Sequence, residues 1–191
     1  MTQSEAKTDH YILLALLALM AATRSHHFAS ITHLPDASWA VFFLAGFYLN
    51  RWIAFAGLLV LAAAIDYVAI QWFGVSDFCI SAAYPALILA YGALWLAGRW
   101  YAGRHRLQWN TLSALTIAVL AGSVACEVLS GGSFYFLSGR TADLSLAGYG
   151  AQFLQFYPAD LTGMSFYLAV AALVNVAIVF VSGPRGRIAV R

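Results

Sequence analysis

Two side chains carry chemistry that is unusual for the apolar runs around them: the carboxylate of Asp66 and the thiol of Cys79. Asp66 lies about seven residues, or about 10 Å along a helix, from the nearer end of its run. A short side chain at that depth does not reach the interface, so the carboxylate either pairs with a polar neighbour or faces a wet cavity. Of these two alternatives we favour the cavity.

Cys79 opens the next apolar run, beside Asp77 and shortly before Pro85. The proline removes a backbone hydrogen bond and clashes with the carbonyl group four residues earlier, so we expect a distorted helix there. Irregular backbone at membrane depth is tolerated where protein covers it or where it lines a cavity. A thiol at such an entrance is a soft ligand for a transition metal, whereas the other cysteine, Cys126, is predicted to be a small core residue.

A cluster of histidines, His26, His27 and His33, precedes the second apolar run. Two or three histidines with a carboxylate can hold a transition metal, but adjacent histidines point in different directions and this spacing matches no defined site. We therefore expect a single histidine that closes over a ligand or titrates at the interface. Glu127 lies near the outer end of its run, where we interpret it as an interfacial carboxylate.

The elements that position these residues are predicted to be transmembrane helices. The chain has 191 residues, of which 62% are hydrophobic and 9% are charged, whereas soluble domains carry roughly 25% charged residues. Six apolar runs fall at about 10–23, 36–50, 52–73, 78–98, 109–130 and 163–182, and the first two are short for a membrane span. The sequence thus predicts an all-α integral membrane protein with six transmembrane helices in a single domain over residues 1–191.

The basic residues predict the orientation of this domain in the bilayer. With the N-terminus in the cytoplasm, the other side keeps only Arg24 and Arg140, while the cytoplasmic side holds Lys7, Arg51, Arg99, Arg104, Arg106, Arg185, Arg187 and Arg191. Both termini are then cytoplasmic, and the connection over about 131–161 is a long, aromatic-rich outer loop. We expect this loop to be a lid over the outer mouth of the bundle or an aromatic belt at the interface.

Four short stretches carry a resemblance to a known family: residues 23–28 (TRSHHF), 66–67 (DY), 78–79 (FC) and 84–85 (YP). With the chain length and the six runs, they resemble the substrate-binding (S) components of energy-coupling-factor (ECF) transporters, and within that fold the BtuM-type cobalamin transporters. The resemblance implies that Cys79 ligates the cobalt of the corrin ring and that His27, Asp66 and Tyr84 are polar residues of the same pocket. It also implies a multi-pass protein of the bacterial inner membrane that takes up cobalamin as its bound substrate.

The chemistry of cobalt fits this expectation, since a thiolate is a soft, strongly donating ligand for one axial position. If Cys79 displaced cyanide from the vitamin form, the ligand exchange would also decyanate cyanocobalamin, and this is the one catalytic role that we expect for Cys79. The residues leave three alternatives open. The first is a transporter of nickel or cobalt ions built on the histidine cluster, and the second is a membrane cysteine transpeptidase, whose thiol would need a base. The third is a purely structural membrane subunit, which would leave Asp66 unexplained.

The expected partners are a corrinoid and the lipid bilayer. The net charge of +2 comes from arginines at loop ends and forms no basic face, so no nucleic acid is expected. The sequence contains no Gly-rich phosphate loop of the form GxxxxGK[ST], so we expect no nucleotide site. An ECF energising module is compatible with the sequence but is not required by it.

Overall fold

The computed structural model describes residues 3–24, 34–49, 51–77, 80–106, 111–142 and 144–182. In these ranges the protein is all-helical, as predicted, with six helices: α1 (Gln3–Thr23), α2 (Ser38–Tyr48), α3 (Trp52–Phe73), α4 (Ala86–Ala102), α5 (Leu112–Leu137) and α6 (Leu146–Ser182). Contacts join the end of α1 to the start of α2 and of α4, and other contacts join the end of α2 to the end of α6. Successive helices therefore run in opposite directions, and we call the end that carries the C-terminus of α1 the site end.

Three of the helices are long and apolar enough to cross a membrane: Trp52–Phe73, Leu112–Leu137 and Leu146–Ile178. The first of these has 22 residues and is therefore about 33 Å long, which exceeds the roughly 30 Å of a bilayer core. Large apolar side chains such as Trp52, Val60 and Leu173 are exposed on these helices. This outer surface suits lipid, and the structure accordingly is that of a membrane protein.

The shortest helix, α2, lies inside the bundle. It has 11 residues, and all but Trp39 are buried. Two glycines allow its close approach to α4, because a Cβ atom on Gly46 or on Gly98 would collide with the backbone of the facing helix. Small residues at helix interfaces serve this purpose in membrane proteins.

An aromatic column lies along the inner part of this packing. The ring of Phe42 stacks on that of Tyr91 with the centroids 4.3 Å apart, and it meets Phe55 edge-on at 5.6 Å. Phe55 in turn contacts Trp95 at 5.7 Å. These four rings tie α2, α3 and α4 together in the interior of the bundle.

The start of α4 differs from the sequence prediction. The helix begins at Ala86 and not near residue 78, and Pro85 is its N-cap residue with φ −60°. Proline is tolerated at a helix start, because the backbone N–H that it lacks would have had no partner there. The expected distorted helix before Pro85 is therefore wrong: residues 81–85 form turns, with the N–H of Tyr84 donating to the Ser81 carbonyl at 3.0 Å.

The long outer loop predicted over 131–161 is also wrong. Helix α5 continues to Leu137 and α6 begins at Leu146, so that the connection is short. The aromatic residues of this region instead pack helix against helix, with Tyr135 and Tyr149 at 5.7 Å between ring centroids. Gly131, Gly132 and the neighbouring serines have low helix propensity, but packing between helices overrides that preference.

Candidate ligand-binding cavity

A cavity of about 520 Å³ lies at the site end of the bundle. Its lining residues are Arg24, Asp36, Ile65, Asp66, Ala69, Ile70, Val75, Ser76, Ile80, Ala83, Tyr84, Leu87, Tyr91, Glu127, Ser130, Gly131, Phe134, Gln152 and Phe156. Sites for small molecules typically measure roughly 300–1,000 Å³ and combine apolar walls with a few polar groups. The size and lining of this cavity match that pattern.

The lining of the cavity contains a partly buried ion pair between Arg24 and Asp66. Arg24 follows the last residue of α1, and its Nε and Nη2 atoms donate to the two carboxylate oxygens of Asp66, each at 2.8 Å. The side chain of Arg24 is 7% exposed and that of Asp66 is 22% exposed. Such a two-point contact fixes the relative position of the end of α1 and the middle of α3.

The remaining contacts of the guanidinium group reach two further helices. Its Nη1 atom donates to the Ser38 hydroxyl at 2.9 Å and to the Tyr91 hydroxyl at 2.8 Å. The Ser38 hydroxyl in turn donates a hydrogen bond to Asp36 Oδ1 at 2.7 Å. Because its Nε and both Nη atoms have partners within the protein, the guanidinium group of Arg24 has a structural role.

Asp66 and Tyr84, two residues expected in one pocket, lie side by side on the cavity wall. The hydroxyl of Tyr84 donates to Asp66 Oδ2 at 2.8 Å, and both residues line the cavity. Pairing with a neighbour and facing a cavity were alternatives for Asp66 at the level of sequence. The structure shows both at once.

Cys79 lies outside the described residues. Ser76, three residues before it, and Ile80, the residue after it, line the cavity. The backbone N–H of Ile80 donates to the carbonyl of Asp77 at 2.8 Å.

The histidine cluster, His26, His27 and His33, also lies outside the described residues. Among the residues that are described, no group of three or more His, Cys, Asp or Glu side chains could hold a metal ion. Cys126 is fully buried in the core, which confirms the prediction for the second cysteine.

Glu127 is a cavity residue that the sequence interpretation missed. It is 6% exposed and lines the cavity, so its interpretation as an interfacial carboxylate is wrong. Ser130, Gly131 and Phe134 line the same cavity, and spacings of three, four and seven residues place them with Glu127 on one face of α5. This spacing is visible in the sequence, and it indicates that the four residues share one face of a helix.

The ionisable groups that line the cavity divide into two sets by position. Arg24, Asp36, Asp66, Tyr84 and Tyr91 form a connected network on the side of α1 to α4. Glu127 stands apart on the α5 wall. Comparison of the sequence with models of known protein families and with curated proteins gives no match.

Proposed function

We propose that the protein is a multi-pass transporter of the bacterial inner membrane that binds cobalamin from the periplasm and mediates its uptake. The observation that carries this proposal is the cavity at the site end, whose wall contains the Asp66–Tyr84 pair together with Ser76 and Ile80, which lie three residues before and one residue after Cys79. In this proposal Cys79 is the ligand of the corrinoid cobalt, and His27 contacts the same ligand.

The distribution of charge supports a periplasmic site end. The opposite end of the bundle carries Arg99 at the end of α4, followed by Arg104 and Arg106, as expected for the cytoplasmic side. The site end carries Arg24 and Arg140, and the charge of Arg24 is compensated by Asp66. In the proposed topology all six helices belong to the membrane domain and both termini are cytoplasmic.

The lining of the cavity suits one part of a corrinoid. A corrin is a broad, nearly flat ring with apolar faces and a fringe of amide side chains, and apolar walls of the kind that Ile70, Leu87 and Phe156 provide would cover such faces. A complete cobalamin is larger than the cavity of about 520 Å³. The ring would therefore enter the cavity while the nucleotide portion stays at the mouth.

The chemistry proposed for Cys79 is an exchange of axial ligands. The thiol loses its proton, the Co–S bond forms and the Co–C bond to cyanide breaks, so that thiol and cyanocobalamin give the thiolate complex and hydrogen cyanide. Cobalt keeps its oxidation state, and no reductant is consumed. Metal coordination favours the deprotonated thiol, and thus the step needs no separate base.

Asp66 and Tyr84 would orient the ligand beside this sulfur. Arg24 compensates the charge of Asp66, and Asp66 accepts a hydrogen bond from the Tyr84 hydroxyl. The hydroxyl oxygen of Tyr84 keeps its lone pairs and can accept a hydrogen bond from an amide of the corrin fringe.

The absorption spectrum of the purified protein tests the proposal. Protein purified after growth with cyanocobalamin should carry a corrinoid spectrum, and the thiolate-bound form should differ in colour from the free vitamin. The C79S and C79A variants should lose this spectral shift and bind cyanocobalamin at least tenfold more weakly, because a covalent ligand to the metal is removed. C126A is the matched control: it removes the buried second thiol and should bind as the wild type does.

Two results would overturn the proposal. Wild-type protein that takes up no corrinoid on titration would remove cobalamin as the cargo, and binding of Co²⁺ or Ni²⁺ that depends on His26, His27 and His33 would favour the ion transporter instead. Corrinoid binding that is unchanged in C79S would leave the cargo in place and remove the cobalt ligation.

A further inference from the structure

The side chain of Glu127 lies in the cavity wall, and the described residues include no partner for its carboxylate. The residue is 6% exposed, and within the described ranges no hydrogen bond or ion pair joins it to another side chain. The charged side chain that acts on it is Asp160, which is also acidic. Among the described residues that line the cavity, the guanidinium group is that of Arg24, and it is held by Asp66, Ser38 and Tyr91.

We expect a carboxylate that is buried without a hydrogen-bond donor to lower the stability of the ligand-free protein. Removing an ionised group from water without a compensating partner is costly, and the nearby negative charge of Asp160 adds repulsion. Residues that cost stability in this way are often kept for a function. A group that supplies hydrogen-bond donors from within the cavity would satisfy Glu127.

The neighbouring turn of α5 leaves room for the carboxylate. A Cβ atom on Gly131, one turn after Glu127, would collide with its Oε1 atom. Both residues line the cavity, so the absent side chain at position 131 makes space for the carboxylate beside the cavity.

We propose that Glu127 is a specificity-determining residue that accepts hydrogen bonds from a primary amide of the cargo, an inference that rests on the function proposed above. In its ionised form the carboxylate only accepts hydrogen bonds, and donors that bind this form favour it over the protonated one. The fringe of a corrin offers such donors in its amide N–H groups. In the same ionised form Glu127 repels a cargo that carries a carboxylate in place of that amide. Glu127 thereby selects the amidated corrinoid over its acidic precursor form.

The test compares two ligands on three proteins. The ligands are dicyanocobinamide, which carries side-chain amides, and dicyanocobyrinic acid, which carries carboxylates at the corresponding positions. Wild-type protein should prefer the first at least tenfold. E127L should bind dicyanocobinamide about 10- to 100-fold more weakly, since it loses a hydrogen bond to a charged group, and E127Q should narrow or reverse the preference because an amide also donates to a carboxylate.

Stability measurements separate this role from a structural one. The ligand-free E127L variant should unfold at a temperature equal to or above that of the wild type, although its binding is weaker. T116V is the matched control, since Thr116 lies on the same helix with its hydroxyl on the Leu112 carbonyl at 3.0 Å, and it should change neither property.

Each other outcome overturns a defined statement. Wild-type protein that binds neither corrinoid overturns the proposed function and this inference with it. Binding of dicyanocobinamide that is unchanged in E127L, or a ligand preference that is unchanged in E127Q, overturns only the role of Glu127. A lower unfolding temperature of ligand-free E127L would assign the residue to folding and would equally remove the inference.

Discussion

Replacing Asp66 with asparagine tests how strongly the ion pair in the cavity lining holds the bundle together. The D66N variant keeps the size of the side chain and removes its charge. Arg24 then keeps its Nη1 contacts with Ser38 and Tyr91, but at least one of its two contacts with the carboxylate, each 2.8 Å long, is lost. The guanidinium group, on a side chain that is 7% exposed, is left buried with an uncompensated charge.

The expected loss of stability follows from these contacts. Breaking a buried ion pair by removing one partner costs about 3–5 kcal/mol. Asp66 is 22% exposed and some contacts of Arg24 remain, so we expect about 2–4 kcal/mol for D66N. For a chain of this size that loss corresponds to a fall in Tm of roughly 5–15 °C.

Thermal unfolding in detergent micelles, followed by circular dichroism, measures this effect. The exposed residue Asp77 gives the control, because D77N removes a carboxylate without an ion pair in the described structure and should leave Tm unchanged. In a double-mutant cycle, R24Q/D66N should lose at least about 1 kcal/mol less than the sum of R24Q and D66N. A D66N variant as stable as the wild type, or strictly additive losses, would refute the coupling.

Three further predictions concern other parts of the bundle. G98A should lower Tm, at a cost of about 1–3 kcal/mol or more, because the added methyl meets the Phe43 carbonyl; in contrast, G57A, where nothing lies within 4 Å, should leave Tm unchanged or raise it. Y149F should not lower Tm, because the hydroxyl that it removes is buried without a hydrogen-bond partner in the described structure. A clear fall in Tm would show that the hydroxyl has such a partner. Burial lowers the pKa of His105 in the folded protein, so the unfolded chain binds the proton more tightly. Tm should therefore fall as the pH drops below about 6.5. The H105Q variant should show a smaller fall in Tm over this pH range, and a fall as large as that of the wild type would contradict the effect.

The apolar composition was sufficient to predict the fold class and one helix in full. The run at 52–73 is the helix Trp52–Phe73, and it ends at Gly74, whose φ of 65° is the left-handed conformation that closes helices. An uninterrupted apolar run with a glycine after it leaves little choice of boundary. The runs at 78–98 and 109–130 gave the helix type but placed the ends wrongly, because local residue preferences do not include the packing of one helix on another.

A residue of the site could be predicted from the sequence only where its own side chain was unusual for its surroundings. Asp66 could be recognised by its depth alone. Its partner Arg24 is 42 residues away in the sequence and reads as a loop residue of the outer side, so no local pattern joins the two. Glu127 was assigned by its distance from the end of an apolar run, and that run proved shorter than the helix, since α5 continues to Leu137.

The interior position of α2 determines how the centre of the described bundle is packed. The rings of Tyr91, Phe42, Phe55 and Trp95 contact one another across α2, α3 and α4, and Gly46 and Gly98 bring the backbones of α2 and α4 together. If the protein carries a large solute across a bilayer, as proposed, we expect these packed helices to rearrange as whole elements during the passage.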